Sequence, residues 1–533
     1  MNLSRNHDIS TTMETVHKKI SPVAGGGVLL IFNTLLFVIL FLILPGKFEE
    51  NDDIMMCMIA NGTMTGVPDF HLVFINAVYG LILQYLYSTI SGLEWYTILF
   101  SIFHIASISV ITFQILTDEE WKPIFKISFL AFLYVIWARI IVAFQFTTTA
   151  GLLCFAGCLL MLKYNGKGKN YWISLCLSYL FIITASLIRF KAAGLVALIF
   201  APLFINKCFR DKSFIVILAT VVIPVILLEA ADSCFYKDEW AAYKEYNTTR
   251  GFINDNPNAL KILDELPDNI SDNNYIELLK FNADPSIIGL PELKEIENLI
   301  QSVSTDLQIS NIKNLTPYRI PLVLLAFLLL LAILFVPDKR KLSIPFIILL
   351  GILFLGISMR ANLKNRVFLI MLLPSIYIAC DFLKYMRKKQ AYIFIIGTLL
   401  LVSSKYLLQT YKAVGTSKGK IELFQTHNVL ISKVDGPVYI YGSDYPWEAI
   451  NPFHVKDNQT VYPICTGWLT NFPSQRVPFR KYTDLIGPPV FSIISREQKS
   501  ALPELIEANY SIKVEEKVID SNEEYKLISL VNY

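Results

Sequence analysis

The sequence predicts an all-α polytopic membrane protein with a small external α/β domain at its C-terminal end. Of its 533 residues, 54% are hydrophobic, and the mean hydropathy is +0.49. Globular domains are nearer to roughly 45–50% apolar. The excess lies in separate blocks of roughly 15–22 residues, the length that an α-helix needs to cross about 30 Å of hydrocarbon. The net charge of +3 is too small to indicate a nucleic-acid partner. The apolar blocks instead make the lipid bilayer the expected partner.

Twelve apolar runs are candidates for membrane-spanning helices. They cover residues 28–45, 72–90, 97–117, 122–138, 145–163, 171–189, 192–206, 213–230, 319–337, 344–359, 367–383 and 391–408. The first run follows a polar segment, residues 1–27, and lacks a small-residue cleavage pattern, so we interpret it as an uncleaved anchor. Together the runs predict a transmembrane domain over residues 28–409.

Short basic loops predict the orientation of this domain. They are the N-terminal segment and the stretches "KYNGKGK", "NKCFRDK", "PDKRK" and "KYMRKK". The positive-inside rule puts these loops in the cytoplasm, and therefore residues 46–71, 231–318 and 410–533 outside. Because opposite sides for the two chain ends require an odd number of spans, we expect 11 or 13, with the miscount within residues 72–163. The expected location is a bacterial inner membrane.

Two external segments have different patterns. In residues 231–318, the stretches "PNALKILDEL" and "PELKEIENLIQSV" have the apolar spacing of amphipathic helices. In residues 410–533, "GPVYIYGS" and "YKLISLVNY" predict strands, and "SREQKSALPELIEAN" predicts a helix with a serine cap. The C-terminal segment is therefore predicted to be a soluble α/β domain.

The stretch "FEENDDIMM", residues 48–56, places a row of carboxylates directly after the first apolar run. The row consists of Glu49, Glu50, Asp52 and Asp53. Like charges on neighbouring helical turns repel, so the row is either a solvated acidic loop or a functional site. If the stretch is helical, Glu49, Asp52 and Asp53 share one face. A carboxylate pair beside a membrane suits a general base, or a divalent cation such as Mg²⁺ or Mn²⁺ bound by Asp52 and Asp53.

A membrane helix, an acidic pair and then "GVPDFHLVF" before the next apolar run resemble the GT-C class of integral membrane glycosyltransferases. Protein O-mannosyltransferases and lipid A aminoarabinose transferases belong to that class. The mannosyltransferase motifs are Asp-Glu and Asp-x-His-Pro-Pro; this chain has Asp52-Asp53, then Asp69 and His71 without the prolines. The resemblance implies an external sugar transfer from a polyprenyl-phosphate donor, with Asp69 and His71 as substrate-binding residues.

A phosphate-linked donor requires cations near the outer boundary of the membrane. The candidates are Arg189 and Lys191 in "LIRFKAAG", Arg250 in "EYNTTRGFINDNP", and Arg360, Lys364 and Arg366 in "SMRANLKNRVF". Positive charge is scarce on the external side, and arginine binds phosphate in a bidentate fork. The alternatives are that these side chains only extend from helix ends to water, and that Arg250 pairs with Asp255 or another loop acid.

Our interpretation is an inverting hexosyl or pentosyl transferase of the cell envelope. Asp52 would be the general base, and Asp53 would orient the acceptor or hold the metal. The acceptor would be a glycan, a lipid or a protein. One alternative is a surface polysaccharide polymerase or ligase with a lipid-diphosphate donor. Another is a lipid or polysaccharide transporter or flippase, which typically has interrupted helices and paired intramembrane charges.

Overall fold

The computed structural model is a bundle of long helices with a smaller mixed layer at one end, as the predicted fold class requires. It describes residues 22–163, 171–256, 258–267, 269–280, 282–302, 311–360, 363–386, 389–442, 445–456, 460–464, 466–477 and 479–533. The predicted cytoplasmic segment before residue 22, and most of the "KYNGKGK" loop, lie outside the described residues. Within the described ranges, ten helices are long and apolar enough to cross a membrane.

The helices are numbered in chain order. They are α1 (Pro22–Ile43), α2 (Asn51–Ala60), α3 (Ala77–Thr89), α4 (Trp95–Thr117), α5 (Pro123–Val142), α6 (Phe146–Lys163), α7 (Tyr171–Arg210), α8 (Ser213–Asp232), α9 (Glu239–Asp255), α10 (Asp272–Leu279), α11 (Leu290–Ser302), α12 (Arg319–Phe335), α13 (Arg340–Arg360), α14 (Asn365–Leu383), α15 (Lys389–Ile431) and α16 (Leu502–Tyr510). The ten long apolar helices are all of these except α2, α3, α9, α10, α11 and α16.

The two ends of the bundle differ in charge. At one end, called here the basic end, Lys163 and Lys384 approach Asp118 at 2.7 and 3.4 Å. At the other, called the acidic end, Arg366 forms an ion pair with Glu50 at 2.5 Å. Since α14 has Arg366 near its first residue and Lys384 just beyond its last, this helix runs the full length of the bundle.

Helix α7 reverses direction within the bundle. Arg189 has φ −158° and ψ 92°, which are not helical values. The half before it ends at the acidic end, where the Leu187 carbonyl accepts a hydrogen bond from the Asn76 N–H at 2.9 Å. The half after it ends at the basic end, where Lys207 donates to the Leu162 carbonyl at 2.5 Å. The ten long helices therefore make eleven passes, as the separate runs 171–189 and 192–206 predicted.

The predicted span at 72–90 is wrong. Helix α3 has 13 residues, a length of about 20 Å, which is too short to cross hydrocarbon. Both of its ends lie at the acidic end: the Ala77 N–H donates to Asp232 at 2.8 Å, and Tyr87 donates to Glu94 at 3.1 Å. Removing this span leaves eleven passes, so α1 begins at the basic end and α15 finishes at the acidic end. Eleven is one of the two odd numbers of spans that the charge pattern allowed.

Cysteine labelling tests this topology. With the native cysteines replaced, Val67→Cys and Gly92→Cys should react with a membrane-impermeant maleimide from the same side, because α3 does not cross. Lys341→Cys, on the exposed surface of the basic end, should react only from the other side. Labelling of positions 67 and 92 from opposite sides would restore the span at 72–90.

The C-terminal sheet has five strands in the order β4-β3-β5-β7-β6. The strands are β3 (Val438–Ile440), β4 (Val461–Pro463), β5 (Val490–Ser495), β6 (Val514–Ser521) and β7 (Tyr525–Asn532). Strands β3 and β7 confirm the two predicted strands, and β3 is parallel to both neighbours. The predicted boundary at residue 410 falls inside α15, which continues to Ile431, and α16 begins at Leu502 rather than at Ser495.

The C-terminal domain packs against the acidic end of the bundle. Thr97 of α4 donates to the Pro452 carbonyl at 2.6 Å, and the buried Glu94 accepts from the Lys456 N–H at 2.7 Å. In the segment between α8 and α12, the buried Asp284 accepts from the Tyr482 N–H and the Tyr510 hydroxyl at 2.7 and 2.6 Å. The acidic end is thus covered by two layers outside the helix bundle, and these layers contact each other.

Candidate functional site

The row of carboxylates begins at a short strand and continues into a helix. Strand β1 (Lys47–Phe48) pairs in parallel with β2 (Ala143–Phe144), which fixes the point where the chain leaves the bundle. Helix α2 then begins at Asn51, with Glu50 as its N-cap and Asp52 and Asp53 in its first turn. Carboxylates are favoured at a helix N-terminus, because the helix dipole is positive there. Glu49 precedes the helix, so the predicted shared helical face with Asp52 and Asp53 does not form.

Asp53 faces the interior of the protein. Its side chain is fully buried, and Oδ1 accepts from the Tyr96 hydroxyl at 2.9 Å and from the Phe146 N–H at 3.0 Å. Burial raises the pKa of Asp53 well above its usual range, although these two hydrogen bonds oppose the rise. The carboxyl group therefore ties α2 to α4 and α6.

Asp52 is half-buried and lies among cations. Burial raises the pKa of Asp52, and the nearby charge of Glu50 adds to the rise, whereas Arg366 and Arg189 oppose it. Arg250 also lies within electrostatic range of Asp52. A raised pKa in a partly open position is typical of a carboxylate that accepts a proton during catalysis.

Two of these arginines extend from the bundle itself. Arg366 lies in the first turn of α14, and its ion pair with Glu50 leaves 14% of the Arg366 side chain exposed. Arg189 lies at the reversal of α7, where Nη1 donates to the Phe74 carbonyl at 3.2 Å and the guanidinium lies 5.2 Å from the ring centre of Phe146. Both arginines lie within electrostatic range of Asp52.

Arg250 is the third arginine, and it comes from outside the bundle. It lies on α9, is only 4% exposed, and donates to Asn254 Oδ1 at 2.8 Å and to Asn247 Oδ1 at 3.0 Å. In the described part of the chain no carboxylate is within ion-pairing distance of it, so the expected pair with Asp255 does not form. Burial lowers the pKa of Arg250, and Nε has no hydrogen-bond partner among the described residues.

Two other predicted cations have no contact with this site in the described structure. Lys191 and Lys364 are exposed, at the reversal of α7 and at the N-cap of α14. The backbone of Arg360 ends α13, and its side chain lies outside the described residues. Among the predicted cations whose side chains the structure describes, the proposed site uses Arg189, Arg250 and Arg366.

Asp69 and His71 form a buried pair apart from the arginines. His71 Nδ1 lies 2.7 Å from Asp69 Oδ1, and His71 Nε2 lies 3.2 Å from the Phe235 carbonyl oxygen. Burial would raise the pKa of Asp69, but hydrogen bonds from His71 and Ser474 outweigh it, so that the pKa is lowered. None of these contacts involves Asp52.

The sequence interpretation gave no role at the site to Glu50, Glu49 and Arg139. Glu50 neutralises part of Arg366, and Arg139 at the end of α5 lies within electrostatic range of Glu49. Glu49 Oε2 and Asn51 Oδ1 are buried without hydrogen-bond partners in the described structure. Since buried polar atoms are usually paired, these oxygens have capacity for further hydrogen bonds. Arg139 can be recognised as a neighbour of Glu49 only in the folded structure, because no spacing in the sequence links the two residues.

The predicted divalent cation at Asp52 and Asp53 stays a prediction. In the described ranges, no three His, Cys, Asp or Glu side chains are grouped so that they could hold a metal ion. The two aspartates also face different surroundings, since Asp53 is bonded to Tyr96 and Phe146 and Asp52 lies among arginines. The positive charge of the neighbouring guanidinium groups repels a divalent cation and so disfavours its binding beside Asp52.

Comparisons with known proteins give a limited result. No family model matches the chain, and no curated protein matches it. It is similar to a crystal structure of ArnT from Cupriavidus metallidurans bound to undecaprenyl phosphate, with 11% identity and a TM-score of 0.37 over 94% of this chain and 97% of that one. The apo structure of the same protein gives 13% identity and a TM-score of 0.37 over 96% and 98%. ArnT is an aminoarabinose transferase of the GT-C class. At this TM-score the likeness carries no functional argument.

Proposed function

We propose that this protein is a membrane glycosyltransferase that transfers a sugar from a polyprenyl-phosphate donor to a hydroxyl acceptor at the acidic end of the bundle. The observation that carries the proposal is that Arg189, Arg250 and Arg366, from three separate elements, lie within electrostatic range of the half-buried Asp52. Guanidinium groups bind phosphate through charge-assisted hydrogen bonds. A carboxylate of raised pKa beside them suits a general base.

The reaction follows from this charge arrangement. Asp52 takes the proton of the acceptor hydroxyl, and the acceptor oxygen attacks C1 of the sugar. The bond from C1 to the phosphate oxygen breaks, and its electron pair leaves with the phosphate. The arginines stabilise the charge that develops on that phosphate. Attack opposite the leaving phosphate inverts the anomeric centre.

The location of the site supports a lipid-linked donor. Arg189 and Arg366 lie where passes of the bundle end, so a phosphate on a membrane-embedded prenyl chain would reach them with its lipid still in hydrocarbon. We further propose that this end faces the outside of a bacterial inner membrane, because the basic loops lie at the opposite end. Purified protein, a polyprenyl-phosphate sugar and candidate glycan, lipid or protein acceptors test the activity. Release of the polyprenyl phosphate supports it, and a requirement for a diphosphate donor would instead support the polymerase or ligase.

Arg366→Ala should weaken use of the donor more than it weakens folding. The substitution removes a cation that contacts Glu50 and lies within electrostatic range of Asp52, and a hydrogen bond to a charged group is worth about 1.5–3 kcal/mol. We expect the donor KM to rise by about tenfold or more, since 1.4 kcal/mol corresponds to a factor of ten. Lys364→Ala is the matched control, because Lys364 is exposed at the same helix start. Wild-type KM and turnover in Arg366→Ala would make Arg366 a helix-end residue without a donor role.

A further inference from the structure

The imidazole of His71 joins the first external loop to the segment after α8. Its ring stacks on Trp240 with centres 3.7 Å apart and planes 13° apart, and Phe70 packs on it at 3.9 Å. Both ring nitrogens face oxygen atoms, on Asp69 and on the backbone of Phe235. His71 is 8% exposed, so little of the ring is left to contact a substrate.

Trp240 connects this contact to the arginine site through α9. It lies in the first turn of that helix, and Arg250 lies about three turns later. Between them, Tyr243 donates to the Trp468 carbonyl of the C-terminal domain at 2.5 Å. A helix is rigid over this length, so the position of Trp240 helps to set the position of Arg250.

We propose that Asp69, His71 and Trp240 form a clasp that holds α9 over the acidic end and positions Arg250 beside Asp52. In this arrangement Asp69 and His71 are positioning residues that act through Arg250, rather than groups that contact the substrate. The inference rests on the proposed function for the role of Arg250. The contacts of the clasp themselves do not depend on that function.

The bonding of Arg250 explains why such a clasp is needed. Its guanidinium donates hydrogen bonds to two neutral amides of its own helix, Asn247 and Asn254. No described carboxylate of the bundle forms an ion pair with it. Without an ion pair to the bundle, Arg250 depends on the other contacts of α9 for its place. The stack on Trp240 and the hydrogen bond to the Phe235 carbonyl supply such contacts at the start of the helix.

Hydrogen exchange of residues 239–255 tests the clasp without any substrate. Exchange in this helix should increase by about tenfold or more in His71→Ala and in Trp240→Ala, because local opening becomes easier when packing contacts are lost. Trp240→Phe keeps an aromatic ring and should recover part of the protection. Lys237→Ala, an exposed residue of the same segment, is the control. Unchanged exchange in both alanine variants would overturn the clasp.

Donor kinetics test the link to Arg250. His71→Ala and Arg250→Gln should each raise the donor KM by about 10–100-fold, the value of a hydrogen bond to a charged group. The double variant should be no worse than Arg250→Gln alone, because both substitutions remove the same contact. Losses that multiply would show that His71 contacts the substrate directly, and would overturn the positioning role. If the wild-type protein transfers no sugar, the proposed function fails, and the exchange experiment still decides the clasp.

Discussion

Asp52→Asn should lower the rate of sugar transfer by about 10²–10⁴-fold, which is the usual contribution of a general base. The amide keeps the shape of the side chain and cannot take the acceptor proton. Burial raises the pKa of Asp52, so its ionised form costs stability at neutral pH. The thermal unfolding midpoint of Asp52→Asn should therefore stay at the wild-type value or rise slightly. A transfer assay and a melting curve on the same purified protein measure both effects.

The pH dependence and two neighbouring variants are the controls for Asp52. Because the pKa of Asp52 is raised, wild-type transfer should fall on acidification at a higher pH than an ordinary aspartate would give. Glu49→Gln and Glu50→Gln should lower the rate much less, since we assign both glutamates to the local field. Retained transfer in Asp52→Asn, with loss only in a glutamate variant, would move the base to that glutamate.

Asp53→Ala should destabilise the protein strongly. It removes the acceptor for two buried donors, the Tyr96 hydroxyl and the Phe146 N–H. Each buried donor left unpaired costs about 1–3 kcal/mol, so the total loss should be roughly 2–6 kcal/mol. The midpoint of thermal unfolding in detergent should fall clearly below the wild-type value.

Asp53→Asn separates this structural role from catalysis. Asparagine keeps an oxygen acceptor at the same place, so its melting curve should lie near the wild-type curve. If Asp53→Asn is stable and loses transfer, Asp53 orients the acceptor or holds a metal, as the sequence suggested. Partial recovery with excess Mg²⁺ or Mn²⁺ would support the metal. A wild-type melting curve for Asp53→Ala would contradict the structural role.

The passes through the membrane could be predicted, with one exception. An apolar run long enough to cross hydrocarbon is a local property, and the ten long helices occur where such runs occur. The run at 72–90 was misleading because Asn76 caps the helix at one end and Ile90 closes it at the other, which leaves 13 residues. The charge pattern already required an odd number of spans, so the sequence showed that one of the twelve runs was miscounted. Only the structure showed that the miscounted run was 72–90.

The strands of the C-terminal domain were predicted less completely than the helices. Strands β3 and β7 have clear apolar patterns, whereas β4 has three residues and β6 is largely exposed. A strand is stabilised by partners that are distant in the sequence, so its own residues carry less of the information. The parallel pairs of β3 with β4 and β5 are such contacts.

The sequence by itself determined that this chain is a helical membrane protein, that its acids and its basic loops lie at opposite ends, and that arginines accompany the acids. These properties follow from hydropathy and from the membrane's bias against external positive charge. Only the tertiary structure decided which carboxylate is fully buried and which is half-buried. Asp52 and Asp53 are neighbours about 100° apart around a helix, so one faces the arginines while the other is buried against Tyr96. It also decided that Arg189, Arg250 and Arg366 all lie within electrostatic range of Asp52, a proximity that no local pattern predicts because they come from three elements far apart in the chain.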